Sequence, residues 1–293
     1  MLSVCYSLFL FLLVSSNATA SEKVSPLSPP SASRIVSLSP SCTEIFFAIG
    51  AGDKVVGVTA FCDYPAEAAA KPKVGGFSGK SVSIETIVAL KPDLVVMEGQ
   101  MHQRLMGLLE NAGVRCYAVN AVRLTDAYDI IALLGSMVGL EKNASKVVRE
   151  MRSRIETVVN KTTAKIAGTG TRPSVFWEVW DDPLMTAGGS TFISEALEAA
   201  GGRNVFADTK EQYPAVSFES VLSRNPDWIM SGTDHGAKLN AHSLQKRQGW
   251  RSLSAVRNGK IALVDADSIN RVGPRLASAI ESLARVLHPD LFR

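Results

Sequence analysis

Hydrophobic positions in this chain come in short runs separated by amphipathic stretches. Arg34-Ile35-Val36-Ser37-Leu38 and Ser174-Val175-Phe176-Trp177-Glu178-Val179 read as apolar strands, and Val114 to Val119 and Lys260 to Val264 as short strands that follow turn residues. Glu44 through Gly50 and Gly52 is a helix closed by glycines, and Glu195 through Gly201-Gly202 has the same design. From Asn143 to Lys165 there is neither proline nor glycine, and Val147, Val148, Met151, Ile155, Val158 and Val159 recur at helical spacing beside Arg149, Arg152, Arg154 and Lys161. This predicts one long amphipathic helix of roughly 35 Å at 1.5 Å per residue.

The most informative pattern is a repeat. Ser83-Ile84-Glu85-Thr86-Ile87-Val88-Ala89-Leu90-Lys91-Pro92-Asp93-Leu94-Val95-Val96 recurs as Ser217-Phe218-Glu219-Ser220-Val221-Leu222-Ser223-Arg224-Asn225-Pro226-Asp227-Trp228-Ile229-Met230, at a constant offset of 134 residues. In each copy a serine caps a short helix through the unpaired N–H groups of its first turn, and a glutamate there is favoured by the helix dipole. Pro-Asp then ends the helix and opens an apolar strand. Each half therefore reads strand, helix, strand, helix, strand. The expected fold is α/β: two Rossmann-like lobes with parallel sheets, joined by the long helix. Ligands of such sheets bind beyond the carboxyl ends of the strands. A cleft between the lobes is expected at Pro40 to Thr43, Phe61 to Pro65, Glu178 to Pro183 and the turn near Asp267. The helix should hold the lobes nearly fixed. The expected boundaries are a first lobe over 34–139, the inter-lobe helix over 140–170 and a second lobe over 171–293.

Composition narrows the functional class. The hydrophobic fraction is 46% and the charged fraction 20%, values that fit neither a disordered chain nor a multi-span membrane protein. The formal charge is +3 and no Lys/Arg block is interleaved with aromatics, so a nucleic-acid partner is set aside. An apolar run from Tyr6 to Val14, followed by Ala18-Thr19-Ala20, reads as a signal peptide over 1–20, although no Lys or Arg precedes it. Residues 21–33, with Pro26, Pro29 and Pro30, read as a flexible tether. Removal of Cys5 with the leader would leave Cys42, Cys62 and Cys116, an odd number with no zinc-site spacing.

Candidate chemistry is sparse. Gly75-Gly76-Phe77-Ser78-Gly79-Lys80-Ser81 ends like a phosphate-binding loop but has three residues between Gly75 and Gly79 where four are needed. Gly50-Ala51-Gly52 follows a helix and is a helix stop. No Gly-x-Ser-x-Gly elbow occurs. The four histidines, His102, His235, His242 and His288, include no i, i+4 pair; His288 reads as solvated and His235 and His242 as loop residues. No catalytic residue, metal site or cofactor is assigned. What the predicted cleft does hold is aromatic: Phe61, Tyr64, Phe77, Trp177, Trp180, Tyr213 and Phe218 fall at or near strand ends. They suit a flat, largely apolar ligand with polar edges.

Three stretches carry a family resemblance: Ile35-Val36-Ser37-Leu38-Ser39-Pro40-Ser41-Cys42-Thr43-Glu44, Val56-Gly57-Val58-Thr59-Ala60-Phe61-Cys62-Asp63-Tyr64-Pro65, and Ile87 to Val95. From Arg34 to Leu287 the chain resembles the periplasmic cobalamin (vitamin B12) receptors of ABC importers, in the helical-backbone (class III) group of solute-binding proteins that also carry haem and iron-siderophores. The resemblance implies an exported, non-catalytic monomer, periplasmic or otherwise extracytoplasmic, that captures a corrinoid and delivers it to an ABC transporter permease and its ATPase. Haem or an iron-siderophore is the alternative, with Tyr64, Tyr213, His102 or Cys62 as iron ligand; a two-lobe hydrolase or metalloenzyme is more remote. By position, Phe61, Phe77 and Tyr213 match the family's ring-clasping aromatics, Met185 replaces another, and Asp267 and Arg271 match residues at the ligand's polar edge. Tyr64 and Trp180 join them as expected ligand contacts. Glu85 and Glu219 match the paired glutamates that dock each lobe on the permease. The family's second-lobe disulfide has no counterpart.

Overall fold

The computed structural model describes residues 31–76, 78–232, 239 and 241–292. The expected leader over 1–20, most of the expected tether, Phe77 and His235 lie outside the described residues.

Two sheets repeat one plan. In the first, β1 (Ile35–Ser37), β2 (Val55–Val58), β3 (Leu94–Glu98) and β4 (Cys116–Val119) are all parallel in the order β2-β1-β3-β4. In the second, β5 (Ser174–Asp181), β7 (Arg203–Asn204), β8 (Trp228–Gly232) and β9 (Ile261–Val264) pair in parallel as β7-β5-β8-β9. The remaining strand, β6 (Leu184–Thr186), is antiparallel to the far half of β5. Every residue of β1 is buried, as are the first four of β3, which is what a parallel strand covered by helices on both faces requires. The α/β, two-lobe expectation holds.

The duplicated segment folds as its polar residues dictate. Ser83 Oγ accepts the Thr86 N–H at 3.1 Å and Ser217 Oγ accepts the Ser220 N–H at 3.2 Å, capping the helices Ile84–Ala89 and Phe218–Arg224. The aspartate after each proline does more than end the helix. Asp93 Oδ2 accepts the N–H and Oγ–H of Ser33 at 2.8 and 2.7 Å, and Asp227 Oδ2 accepts the same two groups of Ser174 at the same distances. Each aspartate thus pins the neighbouring chain where it enters the lobe's first strand.

The second shared element is also visible. The helices Pro40–Ala48 and Phe192–Ala199 start on Ser39 and Thr191, which cap them through side-chain oxygens. They end where Gly50 (φ 84°) and Gly201 (φ 80°) enter the left-handed region that glycine takes without strain.

The long helix runs Glu141–Thr169, 29 residues or roughly 43 Å. It is longer at both ends than the 143–165 segment, and Gly170 (φ 66°) caps it. Its buried positions, Ala144, Met151, Ile155, Val158 and Thr162, follow the 3.6-residue period. They pack on Asp126–Met137 from the first lobe and Leu276–Leu287 from the second. Polar ties fix it further: Asn143 donates to the Ile49 carbonyl at 2.9 Å and Arg154 forks onto Glu281 at 2.8 Å through both nitrogens. One apolar core runs continuously from Ile35 and Phe46 through Met151 and Ile155 to Val175 and Leu283.

Two expectations need correction. His288 is buried, and its Nε2 donates to the Gly201 carbonyl at 3.2 Å. Burial lowers its pKa, the Gly201 bond opposing this in part. The signal was its spacing of four and eight residues from the buried Ala284 and Ile280, which continues one apolar face. His242 lies in the helix Ala241–Lys246, not in a loop.

Candidate functional site

A cavity of about 800 Å³ opens at the carboxyl ends of both sheets. The first lobe supplies Pro40, Ser41 and Cys42 from the turn after β1, Phe61 from the loop after β2, Glu98 at the end of β3, and Asn120 to Val122 after β4. The second supplies Trp177 to Val179 from β5, Met185 from β6, Gln212 and Tyr213, Ser231 and Gly232 from β8, and Ala266, Asp267 and Asn270 to Val272. The hairpin β5–β6 brings Met185 to this wall: β5 outruns the second parallel sheet by several residues and turns back.

The walls are largely apolar, with amides at Asn120, Gln212 and Asn270. Tyr213 is half-buried, and burial raises its phenol pKa. Glu98 accepts the Ser39 hydroxyl at 2.5 Å; burial raises its pKa, against the opposing pull of Ser39 and His102. Glu178, fully buried, is gripped by Arg247 through Nη1 at 2.5 Å and Nη2 at 2.9 Å. Burial still pushes its pKa up. Cys42, buried in the floor, is pushed up as well, chiefly by burial and then by the charge of Glu98, so it is a thiol rather than a thiolate.

One rim is an ion cluster that crosses between lobes. Glu44, almost fully buried, accepts from Arg275 Nε at 2.8 Å and Nη2 at 2.6 Å and from Arg271 Nη1 at 3.0 Å. Arg271 also reaches Asp63 at 2.7 Å and Asp267 at 2.6 Å. The first lobe gives Glu44 and Asp63; the second gives both arginines. A second crossing joins Arg123 Nε to Glu195 Oε1 at 2.9 Å and the Leu124 N–H to Glu195 Oε2 at 2.7 Å.

Of the expected contacts, Phe61, Met185, Tyr213, Asp267 and Arg271 line this cavity. Tyr64 and Trp180 do not. Tyr64 stacks on the Arg275 guanidinium, 4.1 Å from ring centre, and borders a separate groove with Phe47 and Lys71. Trp180 lies at the outer end of β5, where its indole N–H donates to the Asp182 carbonyl at 2.8 Å. Phe218 packs against Trp250, ring centres 5.6 Å apart, in the second lobe's own core. His102 and Cys62 are buried and do not line the cavity. Glu85 and Glu219 lie in the first turns of their helices, exposed. Both carboxyls are held below the usual range by their own backbone N–H and then by the capping serine. Among the described residues, no group of three or more His, Cys, Asp or Glu is placed to hold a metal ion. Sequence reasoning missed Glu44, Glu98, Asn120, Gln212, Asn270 and Arg275. Glu44 left a signal: it sits on the buried face of Pro40–Ala48 beside Ile45 and Phe46.

The fold and cleft are those of a two-lobed receptor for a small solute. The model of the periplasmic binding protein family matches residues 35–268, and the chain belongs to that family. An uncharacterised ABC transporter substrate-binding lipoprotein of Bacillus subtilis is 37% identical over 89% of this chain and 81% of its own. The vitamin B12-binding protein of Vibrio parahaemolyticus is 32% identical over 93% of both chains. Among solved structures, the periplasmic vitamin B12-binding protein of Vibrio cholerae superposes with a TM-score of 0.72 at 29% identity, covering 89% of this chain and 99% of that one. A solute-binding protein of Staphylococcus epidermidis, described as a possible iron-binding protein, gives 0.77 at 29% identity, with 88% and 99% covered. The periplasmic haem-binding protein of Roseiflexus sp. RS-1 gives 0.76 at 25%, with 89% and 99% covered.

Proposed function

We propose that this chain is an exported receptor that captures a corrinoid such as cobalamin between its lobes and delivers it, chemically unchanged, to an ABC transporter. The observation that carries the reading is the composition of the cleft. Phe61, Trp177, Met185, Phe192 and Tyr213 offer ring and thioether surface to a flat macrocycle. Asn120, Gln212 and Asn270 offer both donors and acceptors to an edge of carboxamides, the groups that surround a corrin ring. The likeness to a vitamin B12-binding protein over 93% of both chains supports the same choice. Phe61, Met185, Tyr213, Asp267 and Arg271 are the proposed ligand contacts. The leader over 1–20 would export the chain to an extracytoplasmic site, in keeping with a lipoprotein relative. Glu85 and Glu219, one per lobe, would meet cationic groups of the permease and set its orientation more than its affinity.

A haem or siderophore reading keeps the fold and draws on the haem-binding neighbour. Tyr213 is the phenol available at the cavity wall, and burial favours its protonated form, so iron ligation there must first overcome the cost of losing that proton. Calorimetric titration with cyanocobalamin tests the corrinoid reading. Saturable one-to-one binding is expected, weakened at least about tenfold in Phe61→Ala, the loss of an aromatic contact that the ligand would bury. No heat at tens of micromolar, with a Soret band after hemin addition, would sink it.

A further inference from the structure

Among the described residues lining the cleft, Arg271 is the cation, and its guanidinium is already committed. Nη1 donates to Glu44 Oε1 at 3.0 Å and Asp63 Oδ1 at 2.7 Å, while Nη2 meets Asp267 Oδ1 at 2.6 Å. The carboxylates converge from three places: a first-lobe helix, the loop after β2, and the short helix Ala266–Asn270 that leads into Arg271 itself. Only 11% of the Arg271 side chain is exposed. Asp63 stays ionised: burial alone would raise its pKa, but the hydrogen bond and charge of Arg271 outweigh that and hold it below the usual carboxylate range. An incoming carboxylate would therefore meet an arginine already surrounded by acids. A carboxamide meets no such opposition, because it brings no net charge and can donate to an acid or accept from an amide.

We propose that Asp63, Glu44 and Asp267 are specificity determinants: by occupying Arg271 they withhold the cation that an acidic ligand edge would need, so the cleft accepts a tetrapyrrole edged with amides and rejects the same ring edged with carboxylates. This rests on the corrinoid reading and narrows it. Discrimination of this kind comes from the repulsive partner as much as the attractive one.

The test compares cyanocobalamin with its monocarboxylates, in which one peripheral amide has been hydrolysed, so that charge changes and shape does not. The wild-type chain should bind cyanocobalamin about tenfold tighter than the monocarboxylate that faces Arg271, the equivalent of one charge-assisted hydrogen bond. Asp63→Asn frees one side of Arg271 while Glu44 and Arg275 still join the lobes, and the ratio should fall toward one. Glu195→Gln, in the other cross-lobe contact, serves as control and should keep the wild-type ratio. A wild-type ratio near one for every isomer overturns the proposal alone, as does an unchanged ratio in Asp63→Asn or an equal shift in Glu195→Gln. Failure of the wild-type chain to bind cyanocobalamin overturns it together with the corrinoid reading.

Discussion

Glu44 and Glu195 occupy equivalent places in the two lobes. Each sits in a capped helix that ends at a left-handed glycine, and each crosses to an arginine of the opposite lobe. Their surroundings differ. Glu44 is sealed by two arginines, whereas Glu195, 28% exposed, meets an Arg123 side chain that is 66% exposed. The duplicated template therefore placed two crossings, and burial gave them unequal weight. At the Glu44 end the charges are shielded from water and salt and can hold the lobes in register; at the Glu195 end solvent screens them. The same asymmetry shapes the cleft. The sheets share one strand order, but the extended hairpin β5–β6 belongs to the second lobe alone and carries Met185 to the ligand wall.

Removing the buried glutamate should have the largest effect. Glu44→Ala leaves Arg271 and Arg275 buried with Asp63, Asp265 and Asp267 as their remaining partners, and should lower unfolding stability by about 3–5 kcal/mol in denaturant titration. A loss below about 1 kcal/mol would mean that the cluster is as well solvated as a surface pair. Next come the paired strand pins. Asp93→Ala and Asp227→Ala remove equivalent hydrogen bonds, and each should cost about 1 kcal/mol. Strongly unequal losses would argue against a shared template. Smaller again is Glu195→Ala, which should leave the thermal midpoint nearly in place and lose its residual effect in high salt.

Acid provides a further contrast. His288, neutral and buried, has a depressed pKa, so its contribution is present above the ordinary histidine value near 6.5 and is lost as pH falls through the folded value. Asp63 also has a depressed pKa; its contribution is present above the unfolded value of 3.8 and lost only as pH falls through the lower folded one. Acidification should therefore weaken the second lobe first. His288→Gln should remove the earlier of the two losses in a pH series of thermal melts, and an unaltered series would contradict the assignment.

Much of the architecture was legible because it rests on local rules. The segment repeated at an offset of 134 residues announced two capped helices followed by strands, and the proline-free stretch announced the long helix. The site was less legible because its contacts are remote in sequence: Glu44 and Arg275 lie 231 positions apart, and nothing local pairs them. Aromatics misled where a ring had another use. Tyr64 stacks on an arginine and Phe218 fills its own lobe's core, yet both sit beside the loops that feed the cleft. Nearness to the chain terminus suggests solvent for His288, while its spacing of four and eight residues from Ala284 and Ile280 places it on a buried face.

The ligand proposed for the cleft between these lobes is a flat ring edged with uncharged amides. The direct measurement is a competition in which hemin and cyanocobalamin, at equal concentration, are offered to one preparation and the retained ligand is read from its visible spectrum after gel filtration. Retention of cyanocobalamin at one per chain, with hemin washed through, is the predicted result. Stoichiometric retention of hemin and loss of the corrinoid would overturn the corrinoid reading.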